Sequence, residues 1–504
     1  EGRPLPGPGA RRAPGSRRPP RVPMTRPVAV VLAGGLGTRM RSAQPKILHP
    51  LCGRLMLAYV LDAARAATVS DPVVVYSPAT AALRDAFPEG VVFARQERAD
   101  GTGDALRAGL AAVPADADEV VVLSGDVPLV EADLVAGVLD RRREAGAALA
   151  LVSFESWEPG RLGRVIRTED GERVARIVEA ADASPDELTV GEVNVGLYAF
   201  DAAWLRTAIT RLTPSAATGE LYLTQLVDRA NDAGRAVVAY EALDDGTLDG
   251  INDRVQLAEA TAVLRERINT AWMLAGVTMH DPATAYVDAE VKLAPDVTLE
   301  PNVILRGRTR VGEGTVIGAG SQLLDSVVGP RCRVWASVLE SADVEEGATI
   351  GPFSHLRPGS SIGPRVELGN FAEVKNARLE AGVKQHHVSY LGDAHVGEGT
   401  NVGAGTITAN YDGVRKHHTE IGKGVFLGVD TMLRAPVTLG DGARTGAGAV
   451  VTKDVPPGKL AIGVPARVRD PRPPAAPTSP VPGDAAAASD DLVAEPSPRR
   501  EGAT

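Results

Sequence analysis

The residues best suited to chemistry fall into two groups, one early and one late in the sequence. The first begins where the apolar run VAVVLAG (28–34) opens into LAGGLGTRM (32–40). Glycines at 34, 35 and 37 allow a tight turn that aims backbone N–H groups at a polyphosphate, and Arg39 adds a cation just beyond. A glycine-rich turn after a strand is weak evidence alone, and this one follows neither GxGxxG nor GxxxxGK[ST]. Its weight comes from Lys46 in QPKILHP, a second cation able to balance the charge that grows on a departing pyrophosphate. Farther on, GTGDAL (101–106) offers a Gly-Thr-Gly turn before a helix, where a base or sugar can approach closely. The run EVVVLSGDVPL then ends in Ser124, Gly125 and Asp126. A carboxylate at the C-terminal end of a buried parallel strand sits where open α/β sheets bind ligands, and it is a usual anchor for Mg2+ held against phosphates. Asp126 is therefore the candidate metal ligand.

The second group is KQHHVSYLGDAHVG (384–397), a polar stretch that interrupts a repeating segment. Such an interruption gives up packing, and chemistry is one reason to accept that loss. Imidazole titrates near neutral pH and can take a proton from a substrate amine as that amine attacks a thioester.

Elements must position these groups. The runs VAVVLAG, DPVVVYS (71–77), EVVVLSGD (119–126) and ALALVSF (148–154) are continuously apolar, as strands of a parallel sheet covered on both faces are. Amphipathic segments at 55–67 and 103–112 separate them, which predicts a doubly wound α/β domain over 24–252. Residues 253–275 contain no Gly or Pro and carry Leu257, Leu264, Ile268 and Met273 near helical spacing, predicting a connecting helix. Beyond it, aliphatic residues fall at every sixth position: Val344, Ile350, Leu356, Ile362, Leu368 and Val374, then Val396 and Val402, then Ile421, Leu427, Leu433 and Leu439. A period of six suits neither a helix nor an isolated strand. It suits a three-sided coil whose sides are short parallel strands, so 276–470 is expected to form a left-handed parallel β-helix of hexapeptide repeats. Solenoid edges and flat faces commonly pair, and a homo-oligomer is expected.

Composition sets outer limits. A chain of 504 residues exceeds what one core supports. The net charge of -10 argues against nucleic-acid binding, and no apolar run is long enough for membrane insertion. Cys52 and Cys332, the only cysteines, stand in no metal-ligand spacing and point to a cytoplasmic protein. Residues 1–23 are rich in Arg, Pro, Gly and Ala and read as a disordered extension ahead of Met24, with a targeting peptide as the less favoured alternative. Residues 471–504 read as a flexible tail.

Taken together, LAGGLGTRM, Lys46, the GTG turn and SGDVPL resemble the sugar nucleotidyltransferases. The six-residue repeat behind them narrows the resemblance to the bacterial bifunctional N-acetylglucosamine-1-phosphate uridyltransferase/glucosamine-1-phosphate N-acetyltransferases, from Met24 to about Ala466. The resemblance implies that UTP and N-acetylglucosamine 1-phosphate react with Mg2+ held by Asp126 and by Asn252 of GIND (250–253). It places Leu32, Ala33, Gly34, Gly35, Lys46, Gln96, Gly101, Thr102 and Asp126 on the nucleotide side, and Gly163, Glu179 and Asn194 on the sugar side. It also selects His387 as the base of a second reaction, acetyl transfer from acetyl-CoA to glucosamine 1-phosphate, since H-x-x-Y-x-G-D-A reads here as His387, Tyr390, Gly392, Asp393 and Ala394. Arg357, Lys375, Tyr390 and Asn401 are implied to contact sugar phosphate, with Ala404, Asn410, Tyr411 and Ala447 nearer the CoA, in a homotrimer. Arg357 and Lys375 also make chemical sense as phosphate ligands, a planar fork and a point cation. His386, His417 and His418 read as solvated loop histidines. The sequence departs from the family at Leu36, where a Lys is common, at Ala180 and Ala181, at Val429 in place of a Ser, and at Val464 in place of an Arg that Arg467 or Arg469 would have to replace. These departures leave a competing reading, a monofunctional sugar-1-phosphate nucleotidyltransferase with a non-catalytic β-helix.

Overall fold

The computed structural model describes residues 25–243 and 247–470, so the readings for 1–23 and 471–504 lie outside the described residues. The chain forms two compact units that divide between Ser341 and Ala342, within the repeating segment.

In the first unit, the β-branched runs become β1 (Pro27–Leu32), β2 (Val73–Tyr76), β3 (Val92–Arg95), β4 (Glu119–Ser124) and β5 (Leu149–Glu155). A hairpin follows, β6 (Arg164–Arg167) and β7 (Val174–Val178), then β8 (Glu192–Asp201) and β9 (Val237–Glu241). The sheet order is β9-β5-β8-β4-β1-β2-β3, with the hairpin joined through β6 to β8. Alternate residues of each central strand serve opposite cores. Ala29, Val31, Val121 and Leu123 pack with Leu57 and Val60 of helix α1 (Met56–Ala67), whereas Val28, Val30, Val120 and Val122 pack with Leu106 and Leu110 of α2 (Thr102–Leu110). Helix α3 (Ala132–Ala145) shares the first core. Helices α4 (Ala202–Ala208) and α5 (Gln225–Asp232) share the second. Covering both faces requires uninterrupted apolar strands, which is the pattern the sequence shows.

The sheet departs from the parallel expectation at β8, which runs antiparallel to β4, β5 and β6, and at the antiparallel β6–β7 hairpin. The register of β8 with β5 shifts between Asn194 and Tyr198, yet Val193, Val195, Leu197 and Ala199 keep to the first core while Tyr198 and Phe200 serve the second. The predicted connecting helix is α6 (Arg254–Leu274), started by the Asp253 side chain, which accepts from the Val255 and Gln256 N–H groups.

The repeating segment coils as expected. In the first unit, Thr298 pairs with Val316 and Val316 with Arg333, all in parallel register. In the second unit, three parallel faces form. The first face runs through Thr349–Ile350, Glu367–Leu368, Lys384–Gln385, Asn401–Val402, Phe426–Leu427 and Arg444–Thr445. The second runs through His355–Leu356, Ala372–Lys375, Ser389–Gly392, Ile407–Ala409 and Met432–Arg434. The third includes Arg378–Leu379, Ala394–Val396 and Thr419–Ile421. Each two-residue strand of these faces sends one side chain inward, and Ile350, Leu356, Ile362, Leu368 and Val374 are all buried. At roughly 1.5–3 kcal/mol per buried aliphatic side chain, the hexad is the energetic unit of the coil.

The polar stretch 384–397 does not break this coil. Gln385, Leu391 and Val396 continue the inward column, with Gln385 fully buried where an aliphatic residue would be expected. The phase slips because Val374 to Leu379 and Leu391 to Val396 are five-residue steps. The true insertion lies at 410–418, which loops out so that Asn401 pairs with Phe426 instead of a residue one ordinary coil away.

Candidate active sites

The first site lies at the C-terminal ends of β1 and β4. The cleft there is lined by Leu32, Ala33, Gly34, Gly35, Lys46, Gln96, Gly101, Thr102 and Asp126, every residue expected on the nucleotide side. Gly37 is left-handed, with φ of 62°, and a Cβ there would stand 2.5 Å from Lys46 Cβ, so glycine lets the loop close over the lysine stem. The carbonyl of Gly34 accepts from Ser77 Oγ at 2.8 Å. Gln96 Nε2 donates to the Gly101 carbonyl at 3.2 Å and to Asp104 at 3.0 Å, bracing the Gly-Thr-Gly turn from the side.

At the floor of the cleft, Lys46 Nζ lies 2.5 Å from Asp126 Oδ2 and 3.0 Å from Asn252 Oδ1. Two oxygens far apart in sequence thus converge on one cation. The Ile251 N–H donates to the Asp126 main-chain carbonyl at 2.9 Å, which ties the two segments together, and Asn252 Nδ2 donates to the Gly250 carbonyl at 2.8 Å, which orients the Asn252 side chain. A hard carboxylate oxygen and an amide oxygen directed at one positive charge fit a divalent cation that takes its other ligands from phosphates and water.

The residues expected on the sugar side also come together. Asn194 donates to Tyr198 OH at 2.6 Å and its N–H donates to the Gly163 carbonyl at 2.9 Å. A Cβ at Gly163 would stand 3.6 Å from Glu179 Oε2. Burial pushes the Glu179 carboxyl up, although it accepts from Thr224 Oγ1 at 2.9 Å. Arg39 is the exception: it is exposed and does not line the cleft. Glu220 and Ser124 line it without having been singled out; Glu220 arrives with the segment whose Leu221 carbonyl accepts from the Gly103 N–H at 2.7 Å.

The second site lies in the second unit. Arg357 follows the strand His355–Leu356 of the second face and Lys375 ends the adjacent strand Ala372–Lys375, and the Arg357 N–H donates to the Val374 carbonyl at 2.9 Å. Lys416, on the inserted loop, comes within hydrogen-bond reach of Lys375, and together with Arg357 it holds the Lys375 ammonium below its ordinary pKa. Arg357 is paired with Glu373 at 3.0 Å. Such crowding of cations is what an anionic ligand relieves. Lys416 was not singled out from the sequence, because nothing local predicts that its loop folds back. Tyr390 lies across Gly392, where a Cβ would stand 2.1 Å from the phenol oxygen, and this close approach explains the glycine. Asn410 reaches both Tyr390 OH, at 3.5 Å, and the carboxylate of Asp393, which also accepts from Asn376 at 2.6 Å.

His387 is exposed at the corner between the first and second faces. Above it the same corner is stacked by backbone hydrogen bonds: Gly405 N–H to the Val388 carbonyl at 2.7 Å, Asp430 N–H to Ala404 at 2.6 Å, and Gly448 N–H to Val429 at 2.8 Å. Ala404, Val429 and the exposed Ala447 therefore form a row of small side chains running on from His387. Asn401 stands on the first face of the coil and Tyr411 on the exposed loop, so neither shares a strand with Arg357 or Lys375. His386 and His418 are exposed and paired with Glu367 and Glu420, and the half-buried His417 is paired with Asp412. Leu36, Val429 and Val464 are all exposed.

Comparison with known proteins agrees with this division. Residues 29–189 match the MobA-like NTP transferase domain, and residues 418–453 match the bacterial transferase hexapeptide (six repeats). The chain is 46% identical over 440 residues to a protein of Kineococcus radiotolerans named bifunctional protein GlmU, covering 86% of this chain and 89% of the relative. Proteins of the same name from Nocardia farcinica and Mycobacterium tuberculosis are 44% and 43% identical over the same shares of the two chains. With both sites built from residues spread across the aligned length, the chain belongs to the bifunctional GlmU family.

Proposed function

We propose that the chain catalyses two successive steps in making UDP-N-acetylglucosamine, with residues 24–252 as the nucleotidyltransferase domain, 253–275 as the linker and 276–470 as the acetyltransferase domain. The observation that carries this reading is the convergence of Lys46, Asp126 and Asn252 at the floor of a glycine-lined cleft, in a chain whose relatives are named bifunctional.

In the acetyl step, the amine of glucosamine 1-phosphate attacks the thioester carbonyl of acetyl-CoA. His387 accepts the proton that the amine loses, the carbon–sulfur bond breaks, and the departing sulfur takes up that proton so that CoA ends as the thiol. Arg357, Lys375 and Lys416 hold the sugar phosphate, and Tyr390 and Asn410 border the reacting amine. The row Ala404, Val429 and Ala447 presents no bulk to the extended CoA arm. In the uridylyl step, a phosphate oxygen of N-acetylglucosamine 1-phosphate attacks the α-phosphorus of UTP in line, and pyrophosphate departs. Asp126 and Asn252 would hold Mg2+, which when bound neutralises charge on the triphosphate. Lys46 balances the leaving pyrophosphate, the glycine turns admit the nucleotide, and Asn194 with Glu179 and Gly163 orients the sugar. A homotrimer in the cytoplasm accords with this assignment.

Two assays on one preparation test it. Thiol release from acetyl-CoA with glucosamine 1-phosphate is expected to disappear in His387→Ala while pyrophosphate release persists, and Asp126→Ala is expected to do the reverse. Pyrophosphate release without any thiol release from the unaltered protein would instead favour the monofunctional reading.

A further inference from the structure

The corner that carries His387 is built differently from the others in its row. On the first face of the second unit, inward residues Ile350, Leu368, Val402, Leu427 and Thr445 are each followed three residues later by a left-handed residue: Phe353, Phe371, Gly405, Asp430 and Gly448, with φ of 61°, 59°, 72°, 57° and 68°. After the inward Gln385, the left-handed residue comes after only two, at His387 with φ of 62°. Val388 takes the third position and is left exposed.

The bonds that close these turns also differ. At the Gly405 and Asp430 corners, Thr406 and Thr431 donate to the carbonyls of Gly403 and Gly428, each at 2.7 Å, closing the turn through the hydroxyl. At the His387 corner the equivalent hydroxyl, Ser389 Oγ, instead accepts from Gln385 Nε2 at 3.0 Å, so the bond crosses the turn on its inner side. The amide does this at a cost. Gln385 is fully buried, and its Oε1 has no partner among the described residues, whereas the neighbouring inward residues Leu368 and Val402 are aliphatic. An aliphatic residue would pack there without an orphaned polar atom.

We infer that Gln385 is a positioning residue for His387: its amide, bonded to Ser389 across the corner, holds the early left-handed turn that sets where the imidazole is presented. The inference rests on His387 as the base of the acetyl step. Gln385→Met keeps a similar volume and removes the bond. It is expected to lower kcat for acetyl transfer by about 10- to 100-fold, the effect of a small displacement of a reacting group, with KM for both substrates within about twofold. The melting temperature should stay level or rise, and pyrophosphate release should not change. Ser389→Ala removes the other end of the same bond and should cause the same loss in kcat, and the double variant should lose no more than either single one. His387→Ala is assayed alongside. If His387→Ala is inactive while Gln385→Met and Ser389→Ala both keep kcat near that of the unaltered protein, the inference fails and the base assignment stands. Full activity of His387→Ala overturns the base assignment and the inference with it. An equal fall in pyrophosphate release, or a rise in KM at unchanged kcat, also overturns the inference.

Discussion

Lys46 is the residue on which the first site turns, because its ammonium bridges Asp126 and Asn252. Its side chain is only 9% exposed, so Lys46→Met keeps the packed stem while removing a charge that acts in a water-poor cleft. Pyrophosphate release should fall by about 10²- to 10³-fold, as when one preorganised charge-stabilising donor is lost. Acetyl transfer measured on the same sample should be unchanged; a fall in both would show a loss of fold instead. In the second site, Lys375 sits beside Lys416 and Arg357 and its pKa is held down by them. Inorganic phosphate should therefore raise the melting temperature of the unaltered protein more than that of Lys375→Met, and an equal rise in both would remove Lys375 from the anion site. These residues differ in how far the sequence shows them. Asp126 stands just beyond the end of β4, and Lys46 lies in the segment that continues the glycine-rich turn after β1, so local pattern is enough to find them. Lys416 and Glu220 reach their sites through segments whose path only tertiary structure sets.

At the scale of elements, the six-residue period was legible because each short strand contributes one inward side chain, and a break in period is a break in geometry. The polar stretch 384–397 misleads for the same reason: Gln385 is polar yet inward, so composition suggests a gap where the coil continues. The antiparallel run of β8 was not legible, since alternation at Val193, Val195, Leu197 and Ala199 marks a strand but not the direction in which it pairs. One cross-coil contact gives an element-scale prediction. His395 on the third face lies 2.6 Å from Glu420 and 3.3 Å from Glu380, with Arg378 also on Glu380 and His418 on Glu420. Hydrogen bonding to Glu420 is the largest cause raising the imidazole pKa above its ordinary 6.5. A histidine with a raised folded pKa stabilises the fold fully below its unfolded value, and that contribution is lost as pH rises through the folded value. The melting temperature of the unaltered protein should therefore drop more than that of His395→Gln as pH is raised from below 6.5; parallel curves would show that the contact contributes nothing.

For the whole molecule, the central claim is that one chain carries two chemically independent sites, and that the product of the acetyl site is a substrate of the uridylyl site. The two sets of residues lie in different compact units, with His387, Arg357 and Lys375 in the second and Lys46, Asp126 and Asn252 in the first. The most direct measurement supplies glucosamine 1-phosphate, acetyl-CoA, UTP and Mg2+ to Asp126→Ala alone, to His387→Ala alone and to the two variants mixed, and follows formation of UDP-N-acetylglucosamine. Neither variant alone is expected to form product, and the mixture is expected to form it, because N-acetylglucosamine 1-phosphate released by one variant is consumed by the other. Product from either variant alone, or none from a mixture of two folded variants, would contradict the central claim.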